Sequence, residues 1–329
     1  MKIVCDDKIP YIRETLALLA DEVVYLKGSA IRAEDVNDAD ALIVRTRTRC
    51  DERLLGSSHV QFVATATIGY DHLDTEWLEQ AGIEWTNCPG CNSGSVAQYV
   101  ESVLSLLLSF GEASKDSTLG IVGCGHVGSK VRRVGERLGM RVLVNDPPLG
   151  HADFVTLETI EREADIITFH VPLDATTHYL ADESFFQRLQ RRPVIINSSR
   201  GGVVDEKALI RALDDGKVSK AVIDTWEDEP DISRALLNKV YIGTPHIAGY
   251  SADGKVNADN MVVEALCRHF HLPLPAKIEA PRLPSDFVYT GSVLDLYNVM
   301  KDSEELKKHP EQFEELRGNY PLRREKFER

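Results

Sequence analysis

Three ionisable residues in the second half of the sequence have the types and positions needed to oxidise an alcohol. Arg200 lies in the segment NSSRGG, Glu229 in DTWEDEP and His246 in TPHIAGY, and each segment stands at a predicted strand end. Oxidation of a secondary alcohol removes the hydroxyl proton as hydride leaves the same carbon, and a histidine titrates near the neutral pH that suits this proton transfer. We therefore expect His246 to be the base.

Glu229 and Arg200 complement that base. A carboxylate on the far nitrogen of His246 would fix its tautomer and stabilise the imidazolium, which is the role expected of Glu229. Arg200 carries a fixed fork of donors that matches a substrate carboxylate and would polarise the 2-oxygen. Taken singly, each residue is more often a surface ion-pair partner, a turn residue or a strand-end hydrogen-bonder. Only their combination favours catalysis.

A glycine-rich turn, GCGHVG, joins the strand TLGIVG to a predicted helix. Its glycines permit a tight turn, close approach of the backbone to a pyrophosphate, and close helix–strand packing. The helix N-terminus then presents unpaired N–H groups to the phosphates. The turn residues expected at the cofactor are Gly123, Gly125, His126, Val127 and Gly128.

An acidic residue follows the next predicted strand, RVLVN. Asp146 lies eighteen residues past Gly128, where a carboxylate binds ribose hydroxyls and repels a 2′-phosphate. The sequence therefore predicts NAD as the cofactor. The nearby Arg141 leaves NADP open as the alternative.

The elements around these residues alternate between short apolar runs and helical patterns, from 2 to 87 and again from 118 to 249. This alternation predicts βαβ units with parallel sheets. The fold class is therefore α/β, with two Rossmann-like, doubly wound parallel-sheet domains and a short C-terminal appendage. Long helices are predicted over 95–110 and 252–270, a proline-rich linker follows, and one helix is predicted near 303–317.

Composition limits the possible functions. The 329 residues are 43% hydrophobic and 27% charged, with a net charge of -14, which argues against nucleic-acid and anionic-membrane partners. Six scattered cysteines and a start without an apolar core predict a reducing, cytoplasmic location. Cys88 and Cys91 have redox-motif spacing, but no second pair follows, so neither redox chemistry nor a metal is expected.

The segments GIVGCGHVGS, NSSRGGVVDEKAL, AVIDTWEDEP and TPHIAG resemble signatures of the D-isomer-specific 2-hydroxyacid dehydrogenase family. The resemblance implies that Arg200, Glu229 and His246 are catalytic. It also implies a flavodoxin-like substrate domain made from both chain ends, 1–93 and 252–272, around an NAD-binding Rossmann domain over 94–251. The remaining 273–329 would be a linker and a dimerisation-type tail.

Further segments, among them MKIVCDDKIPYIRE, FVATATIGYDHLD and HIAGYSADGK, resemble a branch of this family that acts on a phosphorylated acid. This resemblance implies that Thr46, Thr67 and Tyr250 bind substrate. The residues implied at the cofactor are Asp146, Val171, Asp224 and Gly249. It also implies a homodimer formed by a C-terminal module, although this chain stops where that module would continue.

The residues themselves favour a phosphorylated substrate. Arg45, Arg47 and Arg49 cluster where the strand ALIVR meets a turn, and with Thr46 and Thr48 they supply anion donors. Alternation would put the three arginines on one face if the strand continues. Backbone N–H groups of the turn 67–69 would take the carboxylate.

Three alternatives stay open. The arginine cluster could be a solvated basic turn. The substrate could be another D-2-hydroxy acid, such as phosphoglycerate. The chain could also be an NAD-sensing interaction protein that kept the fold and lost turnover.

Overall fold

The secondary structure is taken from a computed structural model, which describes residues 1–327; Glu328 and Arg329, the end of the predicted tail, lie outside the described residues. Most of the strands are apolar runs buried on both sides, as is typical of parallel sheets, whereas some edge strands are partly exposed. The strands are β1 Lys2–Asp6, β2 Glu22–Leu26, β3 Ala41–Val44, β4 Phe62–Thr65, β5 Glu84–Thr86, β6 Thr118–Val122, β7 Arg141–Asn145, β8 Ile166–Phe169, β9 Val194–Asn197, β10 Lys220–Ile223 and β11 Ile242–Gly243.

Most of the helices follow strands and are amphipathic or buried. The helices are α1 Arg13–Leu19, α2 Ala33–Val36, α3 Glu52–Leu55, α4 Thr75–Gln80, α5 Ser93–Ser109, α6 Gly128–Arg137, α7 Leu157–Glu163, α8 Glu183–Arg188, α9 Glu206–Asp214, α10 Arg234–Leu237, α11 Ala252–His269, α12 Val293–Leu296, α13 Val299–Lys308 and α14 Phe313–Gly318. Several begin with a side-chain cap, as Asp205 does for α9. Among the described residues, none of these helices is long and apolar enough to cross a membrane.

The chain divides into two compact units. The first consists of Met1–Asn92 with Ser251–Leu283, and the second of Ser93–Tyr250 with Pro284–Arg329. In the expected division, 273–329 lies apart from both domains as a linker and tail. Its proline-rich start belongs to the first unit by its contacts, and the rest packs into the second.

The first unit contains a five-stranded parallel sheet in the order β2-β1-β3-β4-β5. This order is that of the flavodoxin-like fold. One face carries a core to which α11 contributes, and α2, α3 and α4 flank a second core on the other face. The helix α11, which comes late in the chain, therefore completes a domain that the N-terminal segment begins.

The second unit contains a six-stranded parallel sheet in the order β11-β10-β9-β8-β6-β7. Cores cover both faces, one including α5 and α6 and the other including α8 and α9. The chain reverses its direction of winding between β6 and β8, and ligands of such sheets bind at the carboxyl ends of strands near this switch point. The two sheets confirm the predicted α/β class.

The single helix predicted near 303–317 is wrong. The structure has α13 and α14 there, separated by a 3-10 turn over Pro310–Gln312. Pro310 lacks an N–H and disfavours a helical conformation at His309, so the helix ends before it. The break separates α14 from α13.

Candidate active site

The glycine turn follows β6 and leads into α6. Gly123 has a φ of +92°, which favours glycine, and a Cβ there would lie too close to the carbonyl of His170. A Cβ at Gly128 would overlap the carbonyl oxygen of Gly123. At Gly125, in contrast, a Cβ would meet no protein atom within 4 Å. Packing therefore requires two of the glycines, and the third leaves the backbone open to close approach by a ligand.

The other expected cofactor residues of the turn differ in exposure. His126 is exposed and Val127 is half-buried at the N-cap of α6. Asp146 follows β7, and its Oδ2 accepts a hydrogen bond from the N–H of Cys124 over 2.7 Å. This bond holds the acidic residue against the turn. The set fits a dinucleotide: an open glycine, a helix N-terminus and a carboxylate at the next strand end.

Arg200, Glu229 and His246 follow the carboxyl ends of β9, β10 and β11, in that order. In the sheet β10 pairs in parallel with both of its neighbours. Three residues that are 46 positions apart at their extremes therefore come from adjacent strand ends. Val171 follows β8 at the same edge of the sheet.

His246 and Glu229 form a dyad. Nδ1 of His246 lies 2.7 Å from Oε2 of Glu229, and their side chains are 29% and 17% exposed. A carboxylate can only accept, so Nδ1 carries a proton, and in the neutral imidazole Nε2 keeps a lone pair. Oε1 of Glu229 accepts from the N–H of Trp226 over 3.0 Å, which fixes the carboxylate.

The ionised form of Glu229 is stabilised within the protein. Burial alone would raise the pKa of this carboxyl. The hydrogen bond and charge of His246, the N–H of Trp226 and the guanidinium of Arg317 outweigh burial and hold its pKa below the usual value. The dyad therefore has a carboxylate available to stabilise an imidazolium.

Asp224 fixes the loop that carries His246. It is 1% exposed, and its carboxylate accepts from the hydroxyl of Thr244 at 2.6 Å, from Ile247 N–H at 2.8 Å and from Ala248 N–H at 3.0 Å. Burial raises its pKa, and these bonds oppose that rise.

The backbone carbonyl of Asp224 also accepts the N–H of His246 over 2.9 Å. His246 has a φ of +57°, a conformation uncommon for a residue with a Cβ and often found at functional sites. The bonds around Asp224 hold the backbone in that conformation. Gly249 and Tyr250 follow in the same loop and are half-buried.

Arg200 lies in a loop fixed by Asn197. The amide of Asn197 donates to the carbonyl of Arg200 over 2.8 Å, and its oxygen accepts from the hydroxyl of Ser199 over 2.8 Å. Among the described residues the guanidinium makes one hydrogen bond, from Nη1 to the carbonyl of Ser199. The side chain therefore retains donors for an anionic ligand.

The loops of Arg200 and Glu229 pack directly on each other. A Cβ at Gly201 would overlap the carbonyl of Trp226. Glu206 N–H donates to Glu227 over 2.9 Å, and Glu227 N–H donates to Glu206 over 3.0 Å. Reciprocal bonds of this kind hold the two strand-end loops in register.

Arg45 and Thr67 lie at the carboxyl edge of the sheet in the first unit. Arg45 follows β3, and its Nε is 3.5 Å from Oδ2 of Asp6, the buried last residue of β1. Thr67 follows β4, accepts a hydrogen bond from the hydroxyl of Thr65 at 2.7 Å and donates to the carbonyl of Gly69 at 2.9 Å. These contacts fix the two side chains.

Thr46 is exposed in the turn after Arg45. The expected alignment of the arginines does not occur, because β3 ends at Val44 and the following residues turn. Arg47 and Arg49 are exposed, and Arg49 pairs with Asp51. The assignment of Thr48 as an anion donor is wrong, since it is 3% exposed and donates to the carbonyl of Gly28 over 2.9 Å.

A lysine that sequence reasoning missed lies near Arg45. Lys255 is half-buried in the first turns of α11. Burial and the charge of Arg45 lower its pKa, whereas Asp259 opposes them. The pKa of Asp259 is raised to about 7 by burial, against the N–H of Tyr11 and the charges of Lys255 and Arg45. No local pattern marked Lys255, because its neighbours in space are distant in sequence.

Other candidates have structural surroundings. Cys88 is a buried free thiol whose Sγ lies 3.4 Å from the carbonyls of Thr65 and Ala258, and Cys91 is also buried. Nε2 of His72 is hydrogen-bonded to Thr65 at 3.0 Å. In the part of the chain that the structure describes, no group of three His, Cys, Asp or Glu residues is arranged to hold a metal ion.

Comparison with known proteins agrees with this geometry. Residues 107–248 match the family model described as "D-isomer specific 2-hydroxyacid dehydrogenase, NAD binding domain". The chain is 54% identical to erythronate-4-phosphate dehydrogenase of Bacteroides thetaiotaomicron, over 99% of this chain and 97% of that protein. The chain belongs to the D-isomer specific 2-hydroxyacid dehydrogenase family. It is an NAD-dependent dehydrogenase, as the glycine turn and the residues Arg200, Glu229 and His246 predicted.

Two further members extend the comparison. The chain is 42% identical to erythronate-4-phosphate dehydrogenase of Salmonella schwarzengrund, over 99% of this chain and 92% of that protein. The crystal structure of cofactor (NAD+) bound 3-phosphoglycerate dehydrogenase in Entamoeba histolytica matches with a TM-score of 0.69 at 28% identity. That match covers 86% of this chain and 99% of that one. The predicted family and cofactor are therefore confirmed.

Proposed function

We propose that this dehydrogenase oxidises 4-phospho-D-erythronate to (R)-3-hydroxy-2-oxo-4-phosphooxybutanoate, a step of pyridoxal 5′-phosphate biosynthesis. The observation that carries the proposal is the identity of 42–54% to proteins named erythronate-4-phosphate dehydrogenase over 99% of the chain. That span includes the first unit as well as the NAD-binding residues. NAD, when bound, takes the hydride from the substrate carbon.

His246 is the proposed base. Its Nδ1 is occupied by Glu229, so Nε2 has the lone pair that removes the hydroxyl proton. As the proton arrives, the imidazole becomes positively charged, and the ionised Glu229 stabilises that charge. Arg200 binds the substrate carboxylate and polarises the 2-oxygen through its forked donors.

The cofactor residues proposed here are those of the glycine turn, with Asp146, Val171, Asp224 and Gly249. Asp146 favours NAD because its carboxylate repels a 2′-phosphate. Asp224 contributes by holding the loop of His246 and Gly249.

The substrate residues proposed are Arg45, Thr46, Thr67 and Tyr250. Arg45 supplies a guanidinium for the phosphate, and the charge of Lys255 adds to the positive potential near it. Buried Asp6 orients Arg45 through the 3.5 Å contact with Nε.

Initial rates over a panel of acids test the substrate. We expect 4-phospho-D-erythronate to be preferred over D-erythronate, 3-phospho-D-glycerate and D-lactate, with NAD preferred over NADP. Equal rates with unphosphorylated acids would refute the phosphate assignment, and preference for 3-phosphoglycerate would move the substrate to the rival hydroxy acid. Failure to oxidise any 2-hydroxy acid would favour an NAD sensor.

Variants test the residues. His246→Gln should abolish oxidation, because it removes the proposed base. His59→Gln, at an exposed histidine of the first unit, should leave the rate of oxidation unchanged. Arg45→Met should raise KM for the phosphorylated acid by about 10- to 100-fold, as loss of a charged hydrogen bond predicts. It should leave KM for D-erythronate unchanged. Arg53→Met, at an exposed arginine of α3, is the matched control.

The homodimer and the cytoplasmic location also remain proposals. Light scattering on the purified chain tests the first, and a mass of one chain at working concentrations would refute it. Cell fractionation tests the second.

A further inference from the structure

An arginine of the C-terminal tail reaches the dyad. Arg317, in α14, donates from Nε to the hydroxyl of Tyr250 over 3.0 Å. Its Nη1 lies 3.8 Å from Oε2 of Glu229, the oxygen that accepts from His246. The side chain is 20% exposed. The tail therefore places a cation beside the carboxylate that faces the proposed base.

The charged groups that interact with this arrangement include residues of α14, of the end of β10 and of the loop after it. On α14 itself, Glu314 lies 3.7 Å from Nη1 of Arg317. From the loop after β10, Glu229 faces both His246 and Arg317. From the end of β10, the buried Asp224 interacts electrostatically with His246. Two carboxylates thus favour the charged imidazole, and Arg317 opposes them.

We propose that Arg317 is a positioning residue of the oxidation. It holds Glu229 ionised and oriented, and its positive charge opposes the imidazolium that forms as His246 takes the proton. This inference rests on the proposed role of His246 as the base. It assigns to the tail a part in the chemistry of the site.

Anchoring of the tail does not account for these contacts. Arg323 is 3% exposed and donates to the side chain of Gln98 at 2.8 Å and to the carbonyl of Ser95 at 2.6 Å. Lys307 donates to the carbonyl of Val240 at 2.7 Å. These residues fasten the tail to the sheet and to α5, whereas Arg317 contacts Tyr250 and Glu229.

The pH dependence of oxidation by the full chain tests the proposal. Arg317→Gln and Arg317→Met both remove the charge, and methionine keeps an apolar stem against Tyr250. In both we expect the midpoint of the acidic limb to move up by about 0.5 to 1 pH unit, since an opposing charge is lost a few ångströms from the dyad. Arg317→Lys should restore the profile at least in part.

The matched control is Lys307→Gln, which removes a tail cation that contacts backbone carbonyls instead of the dyad. Its profile should coincide with that of the unaltered protein. If Arg317→Gln and Arg317→Met lower the melting temperature but do not change the midpoint of the acidic limb, Arg317 is only a structural anchor and the proposal is overturned.

A second readout separates this inference from the proposed function. The imidazole signals of His246, identified by their loss in His246→Gln, can be titrated by NMR without turnover. We expect their pH midpoint to rise in Arg317→Met whatever the substrate is. An unchanged midpoint would overturn the inference, while a wrong substrate would show only in the rates.

Discussion

The Glu229→Gln substitution removes the charge that faces His246 and keeps the size of the side chain. Oε2 accepts from Nδ1 of His246 over 2.7 Å, and the carboxylate is 17% exposed, so solvent screens it weakly. A hydrogen bond to a charged group contributes about 1.5–3 kcal/mol, and each 1.36 kcal/mol changes a rate tenfold. We therefore expect the rate constant of oxidation to fall about 10- to 150-fold.

The pH profile should move as well. The carboxylate favours the charged imidazole, so without it the imidazole loses its proton at lower pH. The same energy corresponds to a downward movement of the acidic limb by about 1 to 2 pH units. This direction is opposite to that expected for Arg317→Gln, which removes a positive charge.

Initial rates of NADH formation across the pH range measure both effects. The control is Glu227→Gln, two residues away in the same loop, whose carboxylate accepts from the N–H of Glu206 instead of His246. Its rate and profile should remain near those of the unaltered protein. An unchanged rate and limb in Glu229→Gln, or equal losses in both variants, would refute the dyad.

Three other predictions concern stability and the cofactor. Burial raises the pKa of Glu206 to about 7; the stability from its bound proton is complete below the usual value of 4.5 and is lost as pH rises through 7. With Glu206→Gln, the melting temperature should therefore fall less steeply between pH 4.5 and about 7. An unchanged slope would contradict this role of the Glu206 proton. Asp146→Asn should lower the preference for NAD over NADP about tenfold or more, measured as the ratio of kcat/KM values, because the amide no longer repels a 2′-phosphate; an unchanged ratio would exclude this role. Gly128→Ala should cost about 1–3 kcal/mol of unfolding free energy through overlap with the turn, whereas Gly318→Ala, where a Cβ meets nothing within 4 Å, should not; equal denaturation midpoints would contradict the packing argument.

Local sequence patterns predict those features of the protein whose physical cause lies in neighbouring residues. The alternation of apolar runs and helical segments predicted the parallel α/β sheets, and the glycine turn followed by Asp146 predicted the cofactor. The ends of strands and helices are less well predicted by such patterns. The strand before Arg45 stops at Val44, which puts Thr48 in a buried turn, and Pro310 divides the last predicted helix.

The fold class, the family and the residue types that could perform a hydride transfer were predictable from the amino-acid sequence, because strand and helix periodicities and the turn signature are short-range properties. Which of those residues touch one another follows from how the chain folds and packs. The 2.7 Å bond of His246 to Glu229 depends on the neighbouring positions of β10 and β11. The approach of Arg317 to that pair depends on where α14 packs, 88 positions further along the chain than Glu229. Contacts between such distant residues follow from strand order and helix packing, which no local spacing records.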